Sequence, residues 1–496
     1  MGFQGFDPVK LTDLAAELDS LSRNAGSLHS RLATVLTTAQ QNLPPGQSAS
    51  RDPDLQDLVG GVAQIPLLGT SRLPGSLTAE LGDMQASMKR RITQLESLQK
   101  FAGLGYPVDP SVAFLDETGP DGKKVDDALK ALKALNGADF GVNGNRDDLE
   151  KVTKELTGLT SAELDALFTK ADPADLAHYN KLLSDTGDSF FSPFDHNGLP
   201  EAERENALSL MLAKVGADNL GTFTTAFPEI QPTFENSAAY TNHGNNQNGQ
   251  NNSGIHWQAP TDPLFNGPVS ANDVNQRQFG DCWFVASLSA VALKDPRFIQ
   301  DGIKQNPNGT VSVRIWDKSG NSRWVTVTAD LPSDTNGDPI STYGNGDTWP
   351  AYYEKAFAQT YRDENGAGGY GGIEGDDPKN AAPFLTGHSG SDIDKSGGFL
   401  GLQSVADTRF STLKKQFDAG KAVTVSTPDD ESLDKDHPEE WGGTYHSNHA
   451  YYVRGFTSDG RIILGNPWGY QGYPPIYVTQ DQFDQYFQDP EAYEVP

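Results

Sequence analysis

Cysteine is almost absent from this chain. The sequence has 496 residues and a single cysteine, Cys282. One cysteine excludes an intrachain disulfide framework and a cysteine-rich zinc site. Two interpretations remain: a thiol used for its reactivity, or a small apolar side chain in a core, where free cysteines commonly lie. The residues around Cys282 have to decide between them.

Long apolar runs and positive charge are also scarce. No stretch of roughly 18 or more apolar residues occurs, so we expect no membrane span. The opening residues, MGFQGFDPVKLTDLAAELD, lack the basic start and apolar stretch of a signal peptide, which disfavours Sec-dependent secretion. Lysine and arginine number 38 against 67 aspartates and glutamates, a formal net charge of −29. No nucleic-acid partner is therefore expected, because such binding needs basic side chains, whereas solubility or calcium binding are compatible with the acidity.

The first half of the chain has helical patterns. Leucines and valines recur at spacings of three, four and seven within residues 9–40, and a second helical stretch covers 77–104. Residues 1–105 are therefore predicted to form a helical hairpin. Five further helical segments, several preceded by Ser or Asp capping candidates, predict an all-helical module over 106–235.

A change of composition separates the two halves. The stretch TNHGNNQNGQNNSG, residues 241–254, contains no apolar residue and cannot bury enough surface to fold, so 236–258 is predicted to be a linker. All seven tryptophans follow it, together with the β-rich segments VSVRIW, WVTVTA, HAYYVRGF and RIILGNP. The sequence therefore predicts a multi-domain protein, with an α-helical N-terminal half and an α+β domain over 259–496.

Cys282 stands at the start of a predicted helix. The residues WFVASLSAVALK follow it, and this helix must end near Pro296. Unpaired backbone N–H groups and the helix dipole favour an anion at that position, so we expect a lowered thiol pKa. A thiolate beside a base is the environment that a nucleophilic cysteine requires.

Two of the nine histidines lie where a base is needed. His449 begins an alternating apolar strand, and His446 lies in the polar loop before it. A second strand, RIILGNP, follows after the TSDG turn and ends at Asn466, so Asn466 and His449 can be neighbours on paired strands. An amide oxygen there can accept the imidazole N–H and orient the ring. Cys282, His449 and Asn466 are therefore a candidate catalytic triad.

Four ordered motifs over roughly residues 260–470 resemble those of the calpains, cysteine proteases with a papain-like fold. The motifs are QRQFGDCWF, WPAYYEKAFAQTY, SNHAYYVRGF and LGNPWG. The resemblance implies that Cys282 is the nucleophile, His449 the general base and Asn466 the orienting amide. It also implies that Gln276, or less readily Gln278, donates a hydrogen bond to the oxyanion.

The resemblance extends to the tryptophans and to the reaction. Trp468 resembles the family tryptophan that shields the histidine and asparagine from water, whereas Trp349 is predicted to be a core residue. The reaction implied is hydrolysis of peptide bonds in protein substrates through a thioacyl-enzyme, with no cofactor. The alternative is an inactive or acyl-transferring papain-fold module that serves as a binding or effector domain.

Calcium is a weaker expectation. The calpain protease core binds calcium, and Asp273 matches one family ligand position. A second acidic position is occupied by Gly371, with Glu374 nearby, and the acids that follow NPWG in the family are missing. The segment DTNGD, residues 334–338, lacks the glycine and glutamate of an EF-hand and is expected to be a turn.

The predicted hairpin resembles the WXG100-like group of helical hairpins, which accompany type VII secretion in actinobacteria. The W-x-G signature itself is missing, and Tyr477 to Asp481, which matches the group's Tyr-x-x-x-Asp/Glu signal, lies far from the hairpin. The resemblance implies a bacterial protein secreted by a non-Sec, type VII-like route; otherwise a cytoplasmic location is expected. The front half would then serve export, dock the secretion machinery or a partner hairpin, or block the cleft until cleavage in the linker.

Overall fold

The computed structural model describes residues 120–135, 146–184, 198–242, 254–317, 320–393, 409–430, 432 and 441–496. All of these residues belong to one compact unit. The predicted hairpin, residues 1–105, and residues 243–253 of the predicted linker 236–258 lie outside the described residues, whereas Ala238–Asn242 and His256–Gln258 near the ends of that linker form a short helix and a short strand. Within the described part, no helix is both long and apolar enough to cross a membrane.

The helical segments predicted between residues 120 and 215 are confirmed. Capping residues mark the first turns of two of these helices. Thr160 and Glu163 form a reciprocal capping box, and the side chain of Asp172, which precedes Pro173, accepts the backbone N–H of Ala174. The apolar side chains of these helices pack into one core. The helices are α1 (Gly122–Ala134), α2 (Arg146–Gly158), α3 (Ser161–Lys170), α4 (Pro173–Leu183), α5 (Glu201–Lys214), α6 (Leu220–Ala226) and α7 (Ala238–Asn242).

The remainder mixes helices and strands, as predicted. Its helices are α8 (Cys282–Lys294), α9 (Pro296–Asp301), α10 (Trp349–Thr360), α11 (Gly369–Gly372), α12 (Pro378–Thr386), α13 (Arg409–Asp418) and α14 (Gln480–Tyr486). Its strands are β1 (His256–Gln258), β2 (Ile303–Gln305), β3 (Val311–Trp316), β4 (Ser322–Val327), β5 (Leu331–Ser333), β6 (Ser391–Asp392), β7 (Ala422–Ser426), β8 (Ala450–Phe456), β9 (Ile462–Gly465), β10 (Ile476–Val478) and β11 (Gln488–Tyr493).

The described strands form three sheets with antiparallel pairing. The largest has the order β10-β9-β8-β7-β11-β6, a smaller one is β2-β3-β4, and β1 pairs with β5. Helix α8 packs against β7 and β8 on one side and against α12 on the other. Ten consecutive residues of α8 are therefore buried, which explains why WFVASLSAVA reads as an unbroken apolar run.

The helical module packs against the small sheet. The hydroxyl of Ser209 on α5 donates to the carbonyl of Trp324 (3.1 Å) and accepts from the N–H of Thr326 (2.7 Å) on β4. The side-chain amide of Asn308 donates to two carbonyls at the end of α5, those of Leu212 and Val215. Hydrogen bonds of α5 and of the residue that follows it thus attach the helical module to the α+β region.

Candidate active site

A cleft of about 1590 Å³ brings the predicted site residues together. Its lining includes Cys282, His449, Gln276 and Trp468. Helix α8 supplies the thiol at its first residue, and strand β8 begins directly after the histidine. The backbone N–H of Gln276 donates to the carbonyl of Pro467 (2.8 Å), which ties the loop before α8 to the loop after β9.

The histidine and the asparagine form the pair that the sequence predicted. Nε2 of His449 lies 2.9 Å from Oδ1 of Asn466. The same Oδ1 accepts the backbone N–H of Trp468 at 2.9 Å, which identifies this atom as the oxygen. Nε2 of a neutral His449 must then carry the proton, so Nδ1 keeps the lone pair. The pair therefore presents a base whose tautomer is fixed by its neighbour.

An aromatic cover lies over this pair. The ring centroid of Trp468 is 4.4 Å from that of His449 and also 4.4 Å from that of His446. Tyr473 packs against the other edge of Trp468, with 4.9 Å between centroids. These rings replace water around the buried hydrogen bond. His446 thus belongs to the ring stack, while His449 is the histidine that bonds Asn466.

The pKa of the thiol is raised, which corrects the expectation of a lowered one. Cys282 does occupy the helix start, but burial raises the pKa of its thiol to about 11. The N–H groups of Ala450, Trp283 and Cys282 itself lower this pKa, and a negative charge on Asp281 would raise it further. The sequence correctly predicted that Cys282 begins a helix, but it could not show how strongly tertiary packing removes water from the thiol.

Burial acts on the base in the opposite direction. It lowers the pKa of His449 to about 4, and the hydrogen bond that His449 donates to Asn466 offsets only part of this effect. Both changes have one physical cause, because removal of water disfavours the charged form of each group. At neutral pH the resting pair is therefore an uncharged thiol and an uncharged imidazole.

The side chain of Gln276, the candidate oxyanion donor, is hydrogen-bonded to neighbouring groups of the protein. Nε2 of Gln276 donates to the carbonyl of Phe279 (2.7 Å) and, over a longer distance, to Oδ1 of Asp281 (3.2 Å). Its Oε1 is buried without a hydrogen-bond partner. Gln278 also lines the cleft, and its backbone N–H donates to the carbonyl of Ile340. Gln276 thus lies at the predicted place, with both of its amide protons already engaged.

A buried carboxyl pair behind Cys282 was not predicted from the sequence. The side chains of Asp281 and Glu354 are fully buried (0% exposed) and lie close enough to shift each other's pKa. Asp281 precedes helix α8, yet its side chain does not cap that helix. The motifs GDCW and YYEKA contain these acids. An acidic residue beside large apolar side chains, as in both of these motifs, is the sequence signal that could have identified Asp281 and Glu354.

The calcium candidates are engaged in protein hydrogen bonds. Asp273 accepts the N–H of Ser270 (2.7 Å) and of the Trp349 indole (3.3 Å), while Trp349 itself is buried in the core as predicted. Glu374 accepts the N–H groups of Ala238 and Gly280. Across the described residues, no group of three or more His, Cys, Asp or Glu side chains could hold a metal. The segment DTNGD forms a turn closed by Asp334.

A family model supports the fold and the order of the motifs. The model of the calpain family cysteine protease matches residues 230–482, just over half of the chain. The match contains every predicted site residue. It begins at residue 230, inside the helical module and before the predicted linker.

Individual relatives agree with this family. A calpain-type cysteine protease of Zea mays, DEK1, is 34% identical over 139 residues, 26% of this chain and 6% of the relative. Calpain-5 of Mus musculus is 28% identical over 193 residues, 35% of this chain and 29% of the relative. Calpain clp-1 of Caenorhabditis elegans is 25% identical over 221 residues, 40% of this chain and 25% of the relative. The chain thus spans less than a third of the length of each of these three curated relatives.

Proposed function

Because the chain belongs to the calpain family of cysteine proteases, we propose that it is an endopeptidase that hydrolyses peptide bonds in proteins. Cys282 is the nucleophile, His449 the general acid and base, and Asn466 the group that orients the histidine. The observation that carries this proposal is the 2.9 Å bond between His449 and Asn466, in the same cleft as the only cysteine of the chain.

The mechanism follows from the neutral resting pair. As Sγ of Cys282 attacks the peptide carbonyl, its proton passes to Nδ1 of His449, and a carbon–sulfur bond forms. The resulting imidazolium gives this proton to the leaving amine, and the carbon–nitrogen bond breaks. His449 then takes a proton from water, which attacks the thioester and releases the acid and the thiol. The N–H groups of Gln276 and Cys282 hold the carbonyl oxygen while it is negatively charged.

We propose that the described helical module docks on the protease region and does not act as a plug. Its residues 120–135, 146–184 and 198–242 contribute none of the residues that line the cleft. The module instead contacts the small sheet and the loop that follows α10. The ion pairs of Arg362 with Glu201 (2.7 Å) and Glu205 (2.9 Å) belong to this interface. Cleavage in the Asn-rich linker would therefore not be needed to open the described cleft.

Export by a type VII-like route remains a proposal that depends on the WXG100-like hairpin of residues 1–105. The same holds for a bacterial origin, for secretion machinery or a second hairpin as partner, and for the cytoplasm as the other location. Expression of the full chain in an actinobacterial host would test this proposal. Appearance in the medium should depend on the type VII secretion genes and be lost without residues 1–105.

We also propose that the chemistry needs no cofactor. The groups that transfer protons and form the covalent bond are all side chains of this chain. One oxygen of each calcium candidate, Oδ2 of Asp273 and Oε1 of Glu374, already accepts backbone N–H groups, and no third acidic side chain completes a metal cluster with either among the described residues. Activity should therefore be equal in calcium and in chelator.

The experiment is degradation of casein by the purified full chain, beside Cys282→Ala, with calcium and with chelator. Wild type should degrade casein in both buffers, and Cys282→Ala in neither. Activity of the cysteine variant, or an inactive wild type, would contradict the proposal. A primary amine added to the assay tests the acyl-transfer alternative, which predicts an amide product in place of the free acid.

A further inference from the structure

The buried carboxyl pair next to the nucleophile, Asp281 and Glu354, contains an oxygen that no donor reaches. Oδ1 of Asp281 accepts an N–H of Gln276, but its Oδ2 is buried and meets no N–H or O–H donor. The carboxyl of Glu354 accepts the N–H of Thr342 at 3.1 Å and its hydroxyl at 2.5 Å. Oδ2 is satisfied if it carries a proton and donates it to Glu354. The geometry thus describes an acid beside a carboxylate.

The groups that face Asp281 come from several elements, and none of them is a cation. Glu354 faces Asp281 from α10. The hydroxyl of Tyr370 faces it from α11, and Glu374 faces it from the loop after α11. The thiol of Cys282 is its neighbour along the chain. The ammonium group of Lys355 is directed away, onto Thr328 and Asp330. The surroundings therefore favour the neutral form of Asp281.

From this arrangement we propose that Asp281 and Glu354 are positioning residues for the oxyanion hole, and that Glu354 keeps Asp281 protonated so that Gln276 can release one N–H to the substrate. A neutral acid accepts the Gln276 N–H weakly, which agrees with the 3.2 Å distance. A carboxylate would form a charge-assisted bond about twice as strong and retain that N–H. This inference rests on the proposed peptidase function.

The direction of the pKa values supports this assignment. Burial, followed by the charge of Glu354, holds the pKa of Asp281 well above its usual range. Burial also raises the pKa of Glu354, to about 7, while the hydrogen bond from Asp281 lowers it. Glu354 therefore ionises first, and its charge then opposes ionisation of Asp281.

Two isosteric variants should have opposite effects on the pH profile of kcat/KM. Glu354→Gln removes the neighbouring charge and offers an N–H to Asp281, so Asp281 ionises earlier. The alkaline limb should move to lower pH by about a unit or more, with a loss of up to about 10²-fold above it. Asp281→Asn is permanently neutral and still accepts from Gln276. Its profile should lack the alkaline limb that ionisation of Asp281 causes, and the double variant should restore the alkaline activity that Glu354→Gln loses.

Two further readouts separate this role from a merely structural one. Gln276→Ala should lose about 10²- to 10³-fold in kcat/KM and should no longer respond to Glu354→Gln. Alkylation by iodoacetamide involves no oxyanion and, because the chain has one cysteine, it reports on Cys282 alone. The pH dependence of alkylation should move much less than the limb of kcat/KM.

The outcomes divide cleanly. An unchanged limb in Glu354→Gln, a double variant as impaired as Glu354→Gln, or the same shift in the Gln276→Ala background would each overturn the positioning role. If Glu354→Gln does not fold, Asp281→Asn decides alone, and an alkaline limb at the wild-type pH in that variant overturns the inference. A wild type that is alkylated at Cys282 but hydrolyses nothing overturns the proposed function as well, which distinguishes the two failures.

Discussion

The two walls of the cleft are built in different ways. On the strand side, His449 and Asn466 flank the paired strands β8 and β9, and their mutual bond is fixed by the backbone N–H of Trp468. On the helix side, the residues directly before Cys282 contact groups far away in sequence: Asp281 lies beside Glu354, and the N–H of Gly280 donates to Glu374. The base is therefore set by local geometry, whereas the nucleophile and the oxyanion donor are set by tertiary packing.

This difference has a chemical consequence. The strand side is closed by aromatic rings, and the imidazole of His449 is oriented there by a neutral amide. The helix side places carboxyl groups directly behind the thiol, where any change in their charge reaches the reacting atoms. The strand side should respond to substitution as a fixed part of the site, and the helix side should respond to pH as well.

The largest expected effect belongs to the histidine of the strand side. His449→Ala removes the base and should lower kcat/KM by about 10⁴-fold or more. The matched control is His446→Ala, since His446 packs on the same Trp468 ring, and its loss should cost less than about tenfold. Initial rates with a peptide substrate measure both variants. Equal losses would mean that the ring stack, and not the bond to Asn466, matters for activity.

A charge placed on the strand side should move the acid limb. Asn466→Asp puts a carboxylate against the imidazole and should raise the pKa of His449 from about 4 by a unit or more. The acid limb of kcat/KM must then move to higher pH, because His449 acts as a base only when neutral. Asn466→Ala serves as the comparison, because it lowers the rate without adding a charge. A limb at the same pH in Asn466→Asp and wild type would contradict the assigned pair.

On the helix side, stability should depend on pH. The pKa of Glu354 is raised to about 7 in the folded chain, so the unfolded chain loses this proton at lower pH than the folded one. Stability therefore falls as pH rises from about 4.5 to about 7, by about 3 kcal/mol in total. Relative to Glu354→Gln, wild type should show this loss in urea unfolding. A constant difference between the two proteins across that range would refute it.

The smallest expected effect lies away from the cleft, at the interface of the helical module. Ser209→Ala leaves the N–H of Thr326 and the carbonyl of Trp324 without their partner, at a cost of about 1–3 kcal/mol. Activity should stay within about twofold of wild type. Ser161→Ala, on an exposed position of α3, is the matched control and should cost less than about 0.5 kcal/mol. Thermal unfolding and casein assays together measure both effects.

The contrast between the walls also explains what the sequence could predict. Strand periodicity and a short turn bring Asn466 to His449, so their pairing followed from local patterns. The helix start at Cys282 was equally local. The sign of the thiol pKa was not, because it depends on burial by β8 and on Asp281. The contact of Asp281 with Glu354 joins residues more than 70 positions apart, which no local pattern encodes.

The measurement that tests the central claim most directly is covalent labelling of Cys282 by a peptidyl vinyl sulfone, followed by intact mass and peptide mapping. The full chain, His449→Ala, Asn466→Ala and His446→Ala should be compared at equal concentrations. If the three residues act as one unit, wild type and His446→Ala become labelled once at Cys282, while the other two variants react at least about tenfold more slowly. Equal labelling rates in all four proteins would contradict the account, because Cys282 would then react without help from the strand side.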